Sequence, residues 1–181
     1  MSDILILYST VDGQTLKICR RLQQVAAGAG HEVILADIQD HATFDASLFD
    51  TVVVGASIRY GHHRPIVENY MRFNQAILQA RRCAFFTVNI VARKPARNAP
   101  DTNPYMRTFL KKIGWRPRRL AVFAGKLDYP RYDFWDRNII RFIMLLTAGP
   151  TDLRAVVEFT DWGKVEEFGR AICGTEPSGE A

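Results

Sequence analysis

The apolar positions of this chain gather into five short runs rich in β-branched residues: "ILILY" (4–8), "EVILAD" (32–37), "TVVVGA" (51–56), "AFFTVN" (84–89) and "LAVFAG" (120–125). The runs are continuously apolar rather than alternating, the pattern of strands buried on both faces. Most are separated by helix-length segments. In "GQTLKICRRLQQVAAGAG", Leu16, Ile18, Cys19, Leu22 and Val25 recur at three- and four-residue spacings until Gly28 and Gly30 end the pattern. Pro65 opens "RPIVENYMRFNQAILQARR" and Pro104 opens "NPYMRTFLKKIGW", each near a first turn where the missing N–H does no harm. Gly114 ends the second of these, and Asp161 is placed to cap "DWGKVEEFGRAIC". Strands alternating with helices predict an α/β fold: a parallel sheet with helices on both faces. Five strands fit the order 2-1-3-4-5, with a ligand crevice at the carboxyl ends of strands 1, 3 and 4.

One stretch departs from this rhythm. "YPRYDFWDRNIIRFIMLL" (129–146) begins with aromatics and arginines and ends in a nearly unbroken apolar run. Asp133, Arg137 and Arg141 recur every four residues as a polar stripe, while Phe134, Trp135, Ile139, Phe142, Ile143 and Leu146 cover much of the rest. The stretch follows the fifth strand at Gly125 and precedes residues 155–159, where a strand could resume. It therefore reads as an insertion, about 126–154, that splits strand 5. It is too short, and too interrupted by Arg137 and Arg141, to span a bilayer. Two readings stay open and are compatible: an interfacial helix resting on lipid, or a helix burying its apolar side on its own domain.

Length and composition narrow the picture. The 181 residues, 48% of them hydrophobic, suffice for one substantial core, and a single domain over 1–174 with a flexible tail at 175–181 is expected. Cys19, Cys83 and Cys173 are odd in number and form no CxxC pair, so neither a disulfide framework nor a metal site is suggested. The opening "MSDILILYST" has an acidic residue where a secretory signal would be basic, and a cytoplasmic location is expected. Residues 81–141 hold 15 Lys or Arg against four Asp, a net charge of +11 inside a chain whose total is +5. Such an asymmetry suits an anionic partner: nucleic acid, an anionic membrane surface or a polyanionic small molecule.

Directly after the first strand stands "STVDGQT" (9–15). Hydroxyl groups, a turn-permitting glycine and the free N–H groups of a helix start together suit a phosphate monoester. An ordinary capped turn is the alternative, since the stretch is neither a Walker A loop nor GxGxxG. The loop resembles the T-x-T-G-x-T phosphate loop of flavodoxins through Thr10, Gly13 and Thr15, with Asp12 in place of the middle threonine. Together with "VVVGASIRYGHHR" (52–64), "FFTVNIVARKP" (85–95), "YPRYDFWDR" and "TDW", it resembles the flavodoxin-like, quinone-dependent protoporphyrinogen IX dehydrogenase family of bacterial haem biosynthesis, over all but the tail.

The resemblance implies FMN as cofactor and a six-electron oxidation of protoporphyrinogen IX, with menaquinone or ubiquinone as acceptor, at the cytoplasmic face of the inner membrane. The FMN set it implies is Ser9, Thr10, Val11, Asp12, Gly13, Gln14 and Thr15 at the phosphate, Ser57, Ile58, Arg59, Tyr60 and Gly61 on one side of the flavin ring, and Asn89, Ile90, Val91, Ala92 and Arg93 on the other. Asp12 is expected to turn outward and offer its backbone N–H. Tyr60 is the candidate stacking ring, or else a surface aromatic beside a glycine turn. Propionate groups call for Arg or Lys, so Arg59, Arg93, Lys94 and Arg97 are candidates, with Arg131, Tyr132 and Trp135 of the insertion. Those basic residues could equally be solvated. His62 and His63 stand beside the crevice as possible proton shuttles or plain surface histidines. No metal and no catalytic triad is expected, because the flavin carries the chemistry. The insertion, about 129–147, is expected to meet the membrane. Rival readings are a soluble flavodoxin electron carrier, although carriers of that kind are generally acidic, an NAD(P)H–quinone reductase, and a nucleic-acid binder, for which no recognition motif is present.

Overall fold

A computed structural model describes residues 2–146 and 148–174. Strands β1 (Asp3–Ser9), β2 (Glu32–Asp37), β3 (Thr51–Ser57), β4 (Arg82–Asn89) and β5 (Arg119–Ala124) form a parallel sheet in the order β2-β1-β3-β4-β5. This is the expected flavodoxin-like topology. The expected tail at 175–181 lies outside the described residues.

Adjacent strand residues point to opposite faces, so one strand feeds two cores. Leu5, Leu7, Val52, Val54 and Phe85 meet helices α2 (Pro65–Phe73), α3 (Gln75–Ala80) and α4 (Pro104–Ile113) through Val67, Met71, Leu78 and Phe109. Ile4, Ile6, Val53 and Phe86 meet α1 (Gln14–Gly28) and α6 (Trp162–Cys173) through Ile18, Leu22, Val165 and Phe168. Gly55 is where the second core presses closest to the sheet: a Cβ there would lie 2.2 Å from the Phe86 ring.

The structure revises two expected elements. The segment 64–82 is two helices, because Asn74 leaves helical geometry, and its Nδ2 adds a second donor, at 3.0 Å, to the Tyr70 carbonyl that Asn74 N already reaches at 3.1 Å. Nor does strand 5 resume in the main sheet after the insertion. Lys126–Asp128 (β6) pairs antiparallel with Val156–Glu158 (β7) in a separate ribbon, with helix α5 (Phe134–Leu146) between them. A chain that leaves and returns at one point pairs with itself in opposite directions. The return is anchored where it left: Phe159 N donates to Gly125 O at 3.1 Å, and Thr160 Oγ1 donates to Ala124 O at 2.7 Å.

Candidate functional site

The crevice at the carboxyl ends of β1, β3 and β4 is a cleft of about 460 Å³, closed on its far side by the insertion. At its base the chain leaves β1 and turns at Gly13, whose φ of +84° admits the tight entry into α1. Thr10 Oγ1 accepts from Gly13 N at 3.0 Å, which fixes the loop. No side chain caps α1, so its first N–H groups stay available to an anion. Ser9 Oγ and Thr15 Oγ1 are buried without a hydrogen-bond partner among the described residues. Buried hydroxyls are rarely left so, and a phosphate in this loop would satisfy both.

On the opposite wall, Asn89 Oδ1 accepts from Ala92 N at 3.1 Å and from Asn103 Nδ2 at 3.2 Å. These bonds hold the amide in place while its Nδ2, buried and without a partner among the described residues, remains free to donate to a ligand.

The loop after β3 forms a two-residue turn. Arg59 N donates to His62 O at 2.9 Å and His62 N donates to Arg59 O at 3.0 Å. Tyr60 and Gly61 between them have φ of +50° and +83°, the geometry of a type I′ turn. Tyrosine seldom takes that conformation, and it persists only where surrounding contacts impose it. They do so here: Tyr60 Oη donates to Asp136 Oδ1 at 2.5 Å, and Arg59 Nη2 pairs with Asp136 Oδ2. The bond to Asp136 holds the Tyr60 phenol above its usual pKa. Arg59 Nη1 also lies 3.4 Å from Asp12 Oδ1. Burial pushes the Asp12 carboxyl pKa up, and the Arg59 guanidinium pulls it partly back. Asp12 therefore lines the cleft as the partner of Arg59 rather than turning away.

Of the residues expected at the cofactor, Thr10, Asp12, Gln14, Thr15, Ser57, Ile58, Arg59, Tyr60, Gly61, Asn89 and Ile90 line the cleft. Ser9 lies buried behind it, Gly13 shapes the loop through its backbone, and Val11 is exposed. Val91 and Ala92 are buried outside the lining. Among the expected substrate contacts, Arg59 and Tyr132 line the cleft, whereas Arg93, Lys94, Arg97, Arg131 and Trp135 do not. Asn89 caps a short turn over Ile90–Arg93, and a second follows at Pro95–Arg97. Within the first turn, Arg93 Nη1 donates back to Ile90 O at 3.1 Å.

His62 and His63 also fall outside the cleft. His63 is packed against the Phe85 and Phe109 rings, and its Nε2 lies 3.0 Å from Thr87 Oγ1. Burial, helped by Lys112 and His62, pushes its pKa down to about 3. A ring held neutral in this way is a poor proton shuttle, contrary to the role expected for His63.

The sequence reading missed Tyr105 on α4 and, on the insertion, Leu127, Asp136, Ile139, Ile140 and Ile143, all of which line the cleft. A signal for Asp136 was present. Asp133 Oδ1 accepts from Asp136 N at 2.8 Å, so the spacing D-x-x-D marks the first turn of α5, where acidic residues are favoured. The opposite side of α5 exposes Phe134, Trp135, Phe142, Leu145 and Leu146, each more than 60% accessible. Among the described residues, no helix is long and apolar enough to cross a membrane, and no His/Cys/Asp/Glu group could hold a metal ion.

Comparison with known proteins agrees with this geometry. Residues 5–154 match the model of the flavodoxin domain family. A protein of Escherichia coli named protoporphyrinogen IX dehydrogenase (quinone) is 42% identical over 168 residues, 93% of each chain. A protein of Leishmania major with the same name is 42% identical over 165 residues, 91% of this chain and 71% of that one. Among solved structures, oxidised flavodoxin 1 of Bacillus cereus superposes with a TM-score of 0.54 at 15% identity, covering 98% of this chain and all of that one. The last likeness speaks to fold alone.

Proposed function

The chain belongs to the flavodoxin-domain family and, within it, to the quinone-linked protoporphyrinogen IX dehydrogenases, and on that basis we propose that its cleft binds FMN and there oxidises protoporphyrinogen IX to protoporphyrin IX, with a membrane quinone as acceptor. The observation that carries the cofactor is the pair of buried hydroxyls of Ser9 and Thr15, without a partner among the described residues, at an uncapped helix start. They fit a phosphate monoester, and the free Nδ2 of Asn89 across the cleft fits a ring-edge acceptor. FMN, when bound, would supply the capacity to accept hydride equivalents from the macrocycle and to pass them on to the quinone.

The protein's own residues bind, orient and exclude water. Ser9, Thr10 and Thr15 with the α1 N–H groups would hold the phosphate, and Tyr60 and Ile90, on the loops after β3 and β4, would stand beside the ring. Ile139, Ile140 and Ile143 of α5 line the rest of the cleft with the apolar surface a flat macrocycle needs. Removing six electrons from the substrate converts three quinones to three quinols, so the same face must be reached repeatedly from the lipid. The exposed apolar side of α5, with Arg131 and Arg141 also exposed, suits an interfacial anchor at the cytoplasmic face of the inner membrane. The insertion would thus bring the cleft to the quinone.

The test is anaerobic: FMN-loaded protein is mixed with protoporphyrinogen IX, with and without a menaquinone analogue, and porphyrin fluorescence is followed. Fluorescence growing over many turnovers only with quinone is expected. Its absence, with FMN shown to be bound and quinone present, would overturn the reading.

A further inference from the structure

Among the described residues, the two basic side chains lining the cleft, Arg59 and Lys126, each have a carboxylate of the protein beside them. Lys126 Nζ lies 2.8 Å from Asp128 Oδ2, and Arg59 stands between Asp12 and Asp136. An anionic ligand therefore meets cations whose charge is already balanced by a carboxylate of the protein. The Asp136 contact shows what such a ligand would meet, because its two oxygens are bound separately: Oδ1 by Tyr60 Oη at 2.5 Å and Oδ2 by Arg59 Nη2. Two donors, one to each oxygen, make a receptor for a carboxylate. That receptor is accessible, since the Tyr60 residue is 64% exposed and the Arg59 side chain 27%, whereas Asp136 is 3% exposed and arrives from the insertion helix.

Resting on the reading above, we propose that Arg59 and Tyr60 form the subsite for one carboxylate of the substrate, and that Asp136 fills this subsite until the substrate displaces it. The exchange explains why a tyrosine is held at φ +50° on an exposed turn tip, where its hydroxyl can serve either carboxylate. It also sets specificity. An intramolecular carboxylate competes at an effective concentration on the order of millimolar or above. A small free carboxylate loses that competition, whereas one attached to a macrocycle gains from burial against Ile139, Ile140 and Ile143. The intrinsic affinity is reduced by the fraction of molecules in which Asp136 occupies the receptor.

Fluorescence quenching with FMN-loaded protein tests this, using mesoporphyrin IX, a dicarboxylate, and its dimethyl ester as probes. In wild type the diacid should bind more tightly than the diester. Asp136→Asn should tighten the diacid about tenfold and leave the diester unchanged. Arg59→Gln should erase the preference for the diacid, and the Asp136→Asn gain should vanish in the Arg59→Gln background. Unchanged or weaker diacid binding in Asp136→Asn, a gain shared by the diester, or a gain that survives Arg59→Gln would each overturn the proposal. Thermal unfolding and FMN stoichiometry establish that each variant is folded and loaded. If Asp136→Asn does not fold, Arg59→Gln alone decides, because a retained diacid preference refutes the subsite. Wild type that oxidises protoporphyrinogen IX while Asp136→Asn shows no gain strikes only this inference. Wild type that neither binds the diacid nor turns over strikes the proposed function as well.

Discussion

Helices α5 and α6 are almost equal in length, 13 and 12 residues, and opposite in what they hide. Helix α6 buries Val165, Phe168 and Ile172 against α1 and the sheet and leaves Lys164, Glu167 and Arg170 in water. Helix α5 buries Asp136 and Met144 and leaves Phe134, Trp135, Phe142, Leu145 and Leu146 in water. The first helix is paid for by its own core. The second keeps a small cluster around Met144, Ile140 and Ile143, seats itself through a carboxylate at the cleft, and offers its apolar side outward. Helices of this second kind serve a ligand or a surface at some expense of their own burial.

The contrast can be broken at either helix. The largest effect is expected at Phe168, which packs edge-on against Phe86 and Phe123: Phe168→Ala should lower stability by about 3–5 kcal/mol in urea unfolding. Vesicle binding by the protein that remains folded should be unaltered. The reverse is expected on α5. Replacing Phe134, Trp135 and Phe142 by Ser should weaken co-sedimentation with anionic vesicles about a hundredfold, with stability held within roughly 0.5 kcal/mol per site. A large loss of stability there would mean that α5 is core after all.

Acid sharpens the distinction, because His63, packed against the Phe85 and Phe109 rings, resists charging in place. The folded pKa of His63 is pushed down to about 3, so the unfolded chain binds a proton that the fold refuses between there and the ordinary value near 6.5. Stability from this group is complete above about pH 6.5 and falls as the pH drops, by up to about 1.4 kcal/mol per unit. His63→Phe should flatten that part of the pH profile in urea melts. The smallest effect belongs to the cleft floor. Asp12→Thr removes a carboxylate from the loop proposed to hold the phosphate and should tighten FMN binding a few-fold in a fluorescence titration, most at high pH, where the carboxylate is charged.

Much of this was legible in the chain. Continuous apolar runs place five strands at nearly their observed limits, and the glycine stops and proline starts bound α1, α2 and α4. The loop after β1 was readable because hydroxyls, glycine and a helix start are local chemistry, all within seven residues. The basic residues after β4 were not placed by their position in the chain: Arg93, Lys94 and Arg97 do not line the cleft. A loop position tells that a side chain leaves the sheet, not its direction, and the two short turns after Asn89 decide where Arg93, Lys94 and Arg97 stand. His63 failed for a similar reason, since its burial depends on Phe85 and Phe109, both distant in the chain.

Helix α5 divides what each level decides. Its period, its polar stripe and its inability to cross a bilayer follow from spacing and length, which are properties of the chain alone. Which side faces inward does not follow, because apolar residues occur all around it and only the neighbours brought by the fold can choose. The sheet puts Arg59 and Tyr60 at the cleft edge, and they accept Asp136, 76 residues beyond Tyr60, in preference to an aromatic. A buried carboxylate needs donors at hydrogen-bond distance, whereas an exposed phenylalanine needs nothing but water or lipid. That difference decides the orientation, and it exists only in three dimensions.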